Sequence, residues 1–237
     1  MTDQPILEVQ TLSKRFKLHT RDGIEIPVLE DIEFRLGAGE CLVLDGPSGA
    51  GKSTLLRCLY GNYLVSGGRI LLRRPSDGLV LDLCSISPHL LTDLRRTTLG
   101  YVSQFLRVIP RVSAREIVAE PLTAVGVPMA QALERADALL DRLNLSSRIR
   151  HLPPATFSGG EQQRVNIARG LIVPKPVLLL DEPTASLDAR NRAVVIALIQ
   201  EARLAGCAIV GIFHDREVRD AVATRSFDIQ PMEREAA

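Results

Sequence analysis

The nonapeptide Gly46-Pro47-Ser48-Gly49-Ala50-Gly51-Lys52-Ser53-Thr54 fits the pattern G-x-x-x-x-G-K-[ST]. Its glycines reach backbone conformations closed to other residues, so several N–H groups can converge on a β-phosphate. Lys52 would neutralise β- and γ-phosphate oxygens, the Ser53 hydroxyl would ligate Mg²⁺, and Thr54 could add an α-phosphate contact. The chemistry is phosphoryl transfer. The competing reading, a glycine-rich turn with a chance lysine, is weakened by the flanks. The apolar run Cys41-Leu42-Val43-Leu44 leads in, and a helical stretch from Lys52 to about Leu59 leads out.

A second run, Leu178-Leu179-Leu180-Asp181-Glu182, is an apolar strand ending in two carboxylates. Asp181 at the strand end is placed to hold Mg²⁺ through water. Glu182 faces the other way and can polarise an attacking water. Gln104, just after the strand Gly100-Tyr101-Val102, suits a γ-phosphate sensor that reaches the metal or the water. Taken alone it reads by default as an exposed surface residue. His214 follows the apolar run Ile209–Phe213 and precedes Asp215, so its imidazole either donates to the γ-phosphate or merely caps a strand end. His19, His89 and His151 have no such placement and read as surface or packing residues.

The segment Phe157-Ser158-Gly159-Gly160-Glu161-Gln162-Gln163-Arg164 offers a second anion site. A serine and two glycines open onto a helical pattern through Val165, Ile167, Ala168 and Leu171. They present a hydroxyl, backbone N–H groups and a positive helix end. Two phosphate-binding helix starts beside one hydrolytic centre imply that the second serves a nucleotide held by another subunit.

Positioning these residues calls for an α/β framework. With 237 residues, 46% of them hydrophobic, the chain can bury a sizeable core. Its 29 basic and 28 acidic residues leave a net charge of +1, so nothing in the balance calls for nucleic acid or anionic lipid. Lys14-Arg15 and Arg73-Arg74 read as solvated faces, and Cys41, Cys58, Cys84 and Cys207 lie too far apart for metal-type spacing. The apolar stretch from Leu171 to Leu180 is broken by Pro174, Lys175 and Pro176, short of the roughly 20 residues of a membrane span. A polar N-terminus without a signal core completes the expectation of a cytoplasmic protein that meets a membrane only through a partner.

Along the chain, strands are expected at Ile6–Val9 and on through Lys17, at Ile24–Ile26, and at Ile32–Leu36, with a turn at Asp22-Gly23. Others are expected at Arg69–Arg73, Gly78–Leu83 and Leu99–Val102. From Ser113 to Arg150 the pattern turns helical, with Met129, Leu133, Ala136, Leu140 and Leu143 on one face. Ser113 and Glu116 have capping-box spacing, and Pro153-Pro154 closes this insert. Strand–helix alternation then resumes: Val177–Leu180, Ala189–Leu204, Ala208–Phe213 and Glu217–Ala223. A single domain over 1–237 is expected, with a core of 1–103 and 155–237 and a helical subdomain inserted at 104–154. The core sheet is mostly parallel, with an antiparallel N-terminal β layer.

With Gln104, Ser158–Glu161 and His214 in order around the glycine loop, nearly the whole chain resembles the nucleotide-binding domains of ABC ATPases. The resemblance implies a P-loop NTPase fold of ABC type, with ATP and Mg²⁺ as cofactors. It implies that Phe16, in Ser13-Lys14-Arg15-Phe16, stacks on adenine, although a core phenylalanine is an open alternative. It makes Ser158, Gly159, Gly160, Glu161 and Gln162 the signature, and Ser186-Leu187-Asp188 the D-loop. Asp181 and Glu182 become the acidic pair, with Lys52, Gln104, Glu182 and His214 as catalytic residues and Ser53, Gln104 and Asp181 as metal-binding ones. It further implies a second ATPase subunit, identical or related, meeting this one head to tail with two ATP molecules between them.

The segments between motifs bear on the client. Ser53–Leu64, Ser103–Arg111, Ala155–Gly170 and Gly211–Asp215 resemble the accessory ATPase family of the phosphonate C–P lyase system. That implies soluble C–P lyase subunits as partners and a part in making ribose 1-phosphonate 5-triphosphate. The alternative is the ATPase subunit of a membrane exporter of the lipoprotein-release and macrolide-export type, which shares the lead-in Leu99-Gly100-Tyr101-Val102. A DNA-repair ATPase is disfavoured, because the chain has no long coiled-coil or zinc insert.

Overall fold

The computed structural model describes residues 4–18, 24–106 and 110–232. Two sheets face one another. The first is antiparallel, in the order β2 (Ile24–Leu36), β1 (Leu7–Leu18), β4 (Gly67–Arg73), β5 (Val80–Asp82). The second is parallel throughout, in the order β6 (Leu99–Val102), β7 (Val177–Asp181), β8 (Ala208–Ile212), β3 (Cys41–Asp45), β9 (Arg225–Asp228).

The parallel strands read as unbroken apolar runs because both of their faces are covered. Alternation still sorts the side chains: Leu178 and Leu180 join one core, Val177 and Leu179 the other. The second of these cores lies between the sheets and encloses α1 (Lys52–Leu59) through Leu55, Leu56, Cys58 and Leu59. The first is closed by α3 (Ala114–Ala124), α4 (Met129–Arg142), α5 (Gly159–Leu171), α6 (Ala189–Leu204) and α7 (Arg216–Val222). Ser113 and Glu116 form the expected capping box at the start of α3. Cys41, Cys58 and Cys207 are buried, and all four cysteines are free.

Four details depart from the sequence reading. The segments Ile24–Ile26 and Ile32–Leu36 are one strand, kept continuous by irregular pairing with β1 and by Thr11 and Asp31 in the left-handed region. A helix α2 (Pro88–Thr97) precedes β6, capped by the Ser87 side chain with Pro88 in its first turn. Strand β9 lies at the edge of the parallel sheet, paired only with β3. On α4, Met129 is exposed and Ala132 takes its place among the buried residues, because the packed stripe starts one turn later. The expected turn at Asp22-Gly23, His19 and part of Ser103–Arg111 lie outside the described residues.

Candidate active site

The glycine loop, Gln104, the acidic pair and His214 all follow the C-terminal ends of parallel strands, where such sheets gather their ligands. β3 ends at Asp45 and the chain turns at Gly46, whose φ is +128°. A Cβ there would stand 2.3 Å from the Ile229 carbonyl oxygen, so only glycine fits. The Asp45 carboxylate accepts the Gly46 N–H at 2.9 Å and pairs with Arg219. The bond from Gly46 leads in holding its carboxyl below the usual range, with Arg219 adding to it. Gly51, at φ +98°, caps α1, whose first turn carries no acidic residue. Lys52 Nζ donates to the carbonyl oxygens of Gly46 at 2.6 Å and Pro47 at 2.8 Å, closing the loop on itself.

Two small networks meet at the end of β7. In the first, Asp181, only 1% exposed, accepts a hydrogen bond from Ser53 Oγ at 2.9 Å on one oxygen. Its other oxygen accepts one from the Tyr101 hydroxyl at 3.0 Å. Burial raises the Asp181 carboxyl above its ordinary range, and the bonds from Ser53 and Tyr101 oppose that rise. In the second, Gln104 Nε2 donates to one oxygen of Glu182 at 3.0 Å, while His214 Nε2 and the other oxygen lie 2.7 Å apart. Glu182 has φ +53°, a left-handed conformation that costs a residue with a side chain about 1–3 kcal/mol. Its N–H donates to Ile212 O at 3.1 Å, so the turn is fixed on β8, the strand that delivers His214. A cavity of about 300 Å³ opens beside it, lined by Glu182, Thr184, Ala185, Arg192, His214 and Asp215.

Thus Ser53 is bonded to Asp181, Gln104 and His214 to Glu182, and Lys52 to the glycine loop itself. Gln104 and His214, expected to reach the metal, the water or the γ-phosphate, both bond Glu182. The Ser158 hydroxyl is not left without a target in its own chain. It donates to the Glu161 carboxylate at 2.7 Å and accepts the Glu161 N–H at 3.4 Å, a capping box that starts α5. The same serine contacts hold the Glu161 carboxyl below its ordinary range. Gly159 and Gly160 occupy the first turn, whose N–H groups have no intrahelical acceptor. Gln162 donates to Phe157 O at 3.1 Å. Asp188 caps α6, accepting the Asn191 N–H at 2.8 Å. Phe16 is half-buried, edge-on to Tyr63 at 5.3 Å, with Lys14 Nζ 4.5 Å over its ring.

Sequence reasoning missed the residues that tie these loops together. Gln163 donates to Pro183 O at 2.9 Å, and Asn166 donates to Ser103 O, so α5 is bonded to the chain beside both Glu182 and Gln104. Their signal was present: two amides three residues apart, both buried, within an otherwise apolar face of α5. Arg192 links Leu187 O at 3.4 Å to the Asp215 carboxylate, joining the D-loop to the residue after His214. Nothing in its local sequence marks Arg192.

The donor set suits a hard cation and a polyphosphate. Ser53, Asp181 and Gln104 offer oxygen only, as Mg²⁺ prefers. Among the described residues there is no cluster of three or more His, Cys, Asp or Glu that could hold a metal. At Gly49, φ +82°, a Cβ would meet nothing within 4 Å, so the loop's outer face is open to a ligand.

The family model described as ABC transporter matches residues 29–185. The chain belongs to the ABC transporter family. It is an ABC ATPase, an ATP hydrolase whose cofactors are ATP and Mg²⁺. It is 42% identical over 219 residues to the lipoprotein-releasing system ATP-binding protein LolD 2 of Caulobacter vibrioides, covering 90% of each chain. It is 39% identical over 223 residues to the macrolide export ATP-binding/permease protein MacB of Rhodospirillum rubrum, covering 92% of this chain and 32% of that one. The chain thus spans about a third of the length of the macrolide export proteins it matches. Among solved structures, the dimeric post-hydrolysis state of the ATP-binding cassette MJ0796, bound to ADP and Pi, superposes with a TM-score of 0.85. Its sequence identity is 26%, with 96% of this chain and 97% of that one covered. The names of the relatives fall in the exporter alternative and lend the phosphonate expectation no support. Among the described residues no helix of this ABC ATPase is long and apolar enough to cross a membrane.

Proposed function

We propose that this ABC ATPase is the motor of an export system, closing head to tail on a second ATPase subunit and driving a membrane permease. The observation that carries the motor is the convergence of Gln104 and His214 on Glu182, beside Asp181 and Lys52. ATP phosphates lie against the N–H groups from Gly49 to Thr54, and Lys52 exchanges the carbonyls of Gly46 and Pro47 for phosphate oxygens. Ser53, Asp181 and Gln104 would hold Mg²⁺, which when bound would neutralise phosphate charge. Glu182 accepts the proton of the attacking water, oriented by Gln104 and His214. Phe16, half-buried, stacks on the base. Ser158–Gln162 and Asp188 complete the partner's site, the first through the N–H groups of Gly159 and Gly160. The insert at 104–154 carries the client.

The relatives' names support the permease client, LolD 2 being matched over 90% of each chain. A second client, a soluble C–P lyase complex, is supported by Ser53–Leu64, Ala155–Gly170 and the flank of Gln104, where Phe105 stands 75% exposed. The two readings part in a deletion strain and a pull-down. The export reading expects normal growth on a phosphonate as sole phosphorus source, and co-purification of an integral membrane protein with the tagged chain from detergent extracts. Failure to grow, with soluble subunits captured instead, would replace it by the phosphonate reading.

A further inference from the structure

The Tyr101 hydroxyl points at the one buried carboxylate of the site. Tyr101 lies in the middle of β6, next to β7 in the sheet and in register with Leu179, two residues before Asp181. Its hydroxyl donates to Asp181 Oδ2 at 3.0 Å, while Ser53 Oγ takes Oδ1 at 2.9 Å. The carboxylate is therefore held at both oxygens, by two hydroxyls from two different elements. With Ser53 alone it could rotate about its terminal torsion, which is soft for aspartate.

The ring that carries the hydroxyl is itself fixed. It stacks on Tyr60 with centroids 5.0 Å apart and planes 28° from parallel. Tyr60 in turn carries the Arg95 guanidinium over its ring, 4.6 Å from the centroid, and Arg95 donates to the Tyr60 carbonyl at 3.0 and 3.1 Å. Thus α2 supplies Arg95, the end of α1 supplies Tyr60, and β6 supplies the hydroxyl. Tyr101, Tyr60 and Arg95 also line a cavity of about 320 Å³ between α2, α3 and α5, so the stack runs from that cavity to the end of β7.

We propose that Tyr101 is a positioning residue for the metal site: its hydroxyl fixes the Asp181 carboxylate in the orientation that receives Mg²⁺ with the nucleotide. The phenol is protonated at neutral pH and donates, as an ionised carboxylate requires. A hydroxyl bonded to a charged acceptor inside a protein is among the stronger single hydrogen bonds, so its loss is measurable without unfolding the chain. The inference rests on the Mg²⁺-ATPase reading.

The test is Tyr101→Phe, which keeps the ring and its stack on Tyr60 and removes only the hydroxyl. ATP binding is measured by titration calorimetry in EDTA and then across a Mg²⁺ series, with hydrolysis followed in parallel. The expected result is unchanged affinity in EDTA. The gain in affinity from Mg²⁺ is reduced about three- to tenfold, and the Mg²⁺ concentration for half-maximal hydrolysis rises by a similar factor. The rate at saturating Mg²⁺ stays close to wild type, a split that loss of packing would not produce. Tyr60→Leu, which removes the stacked support, is expected to move the Mg²⁺ dependence in the same direction. Tyr101→Phe with a wild-type Mg²⁺ dependence would overturn the inference while leaving the ATPase reading standing. A wild-type protein whose ATP affinity ignores Mg²⁺ would overturn both.

Discussion

At Glu182 the backbone and two neighbouring side chains fix the direction of a carboxylate. Its backbone is held in a left-handed turn by the bond from its N–H to Ile212 O, and each oxygen has its own partner, Gln104 or His214. A general base works best when its lone pair is already oriented, because no reorganisation is then needed during proton transfer. In the proposed mechanism phosphate is bound by different atoms, the N–H groups of the glycine loop and Lys52 Nζ, which here bonds the Gly46 and Pro47 carbonyls. Binding and turnover should therefore separate. Glu182→Gln keeps the size and both neighbours but cannot accept a proton. Its turnover is expected to fall about 100- to 10,000-fold, with ATP affinity within a few-fold of wild type. Phosphate release measured beside equilibrium nucleotide binding checks this, and equal loss of both would place Glu182 in the binding cradle instead.

The helical region 114–142 depends on a single buried cation. Arg150 is buried, and its guanidinium donates to Leu145 O at 3.0 Å and to Asp137 O at 3.2 Å, besides meeting Asp141. It thereby gathers the end of α4 and the chain beyond it into one closed turn. Arg150→Met fills similar space and leaves both carbonyls without that donor. The expected cost is about 2–4 kcal/mol of stability, read as a lower midpoint in chemical denaturation. Much at this scale was legible in the sequence. α1 and α6 fall where their apolar residues and flanking glycines place them, and β6 where its short apolar run does, because each carries its signal locally. α2 was not, since Leu94 is its only fully buried residue and the rest reads as a polar loop, although Ser87 and Pro88 are helix-start residues. β9 is four residues with little apolar content, made a strand by β3 rather than by itself. The glycine loop was legible because its chemistry is contiguous. That Gln104 and His214 both reach Glu182 was not, because it depends on β6 and β8 flanking β7.

For the whole molecule, α5 is tied to the chain segments beside Glu182, Gln104 and Ser186. Gln163 bonds it to Pro183 and Asn166 to Ser103, and a Cβ on Gly160 would stand 2.9 Å from Ser186 O. The Ser158 hydroxyl and Glu161 carboxylate are spent on each other at the start of α5, so what remains for an anion is the helix end with its free N–H groups. A γ-phosphate held by a second copy would meet that end and, through Gln163 and Asn166, the segments beside Glu182 and Gln104. Closure would then be driven by ATP and ended by its hydrolysis. With hydrolysis blocked, Glu182→Gln plus ATP and Mg²⁺ should double in mass by light scattering. Adding Ser158→Arg puts a bulky side chain at the helix start and should return the protein to a monomer that still binds ATP at its own Lys52. A doubly substituted chain that remains dimeric would mean that α5 does not lie at the interface, and a Glu182→Gln chain that stays monomeric with ATP would remove head-to-tail closure altogether.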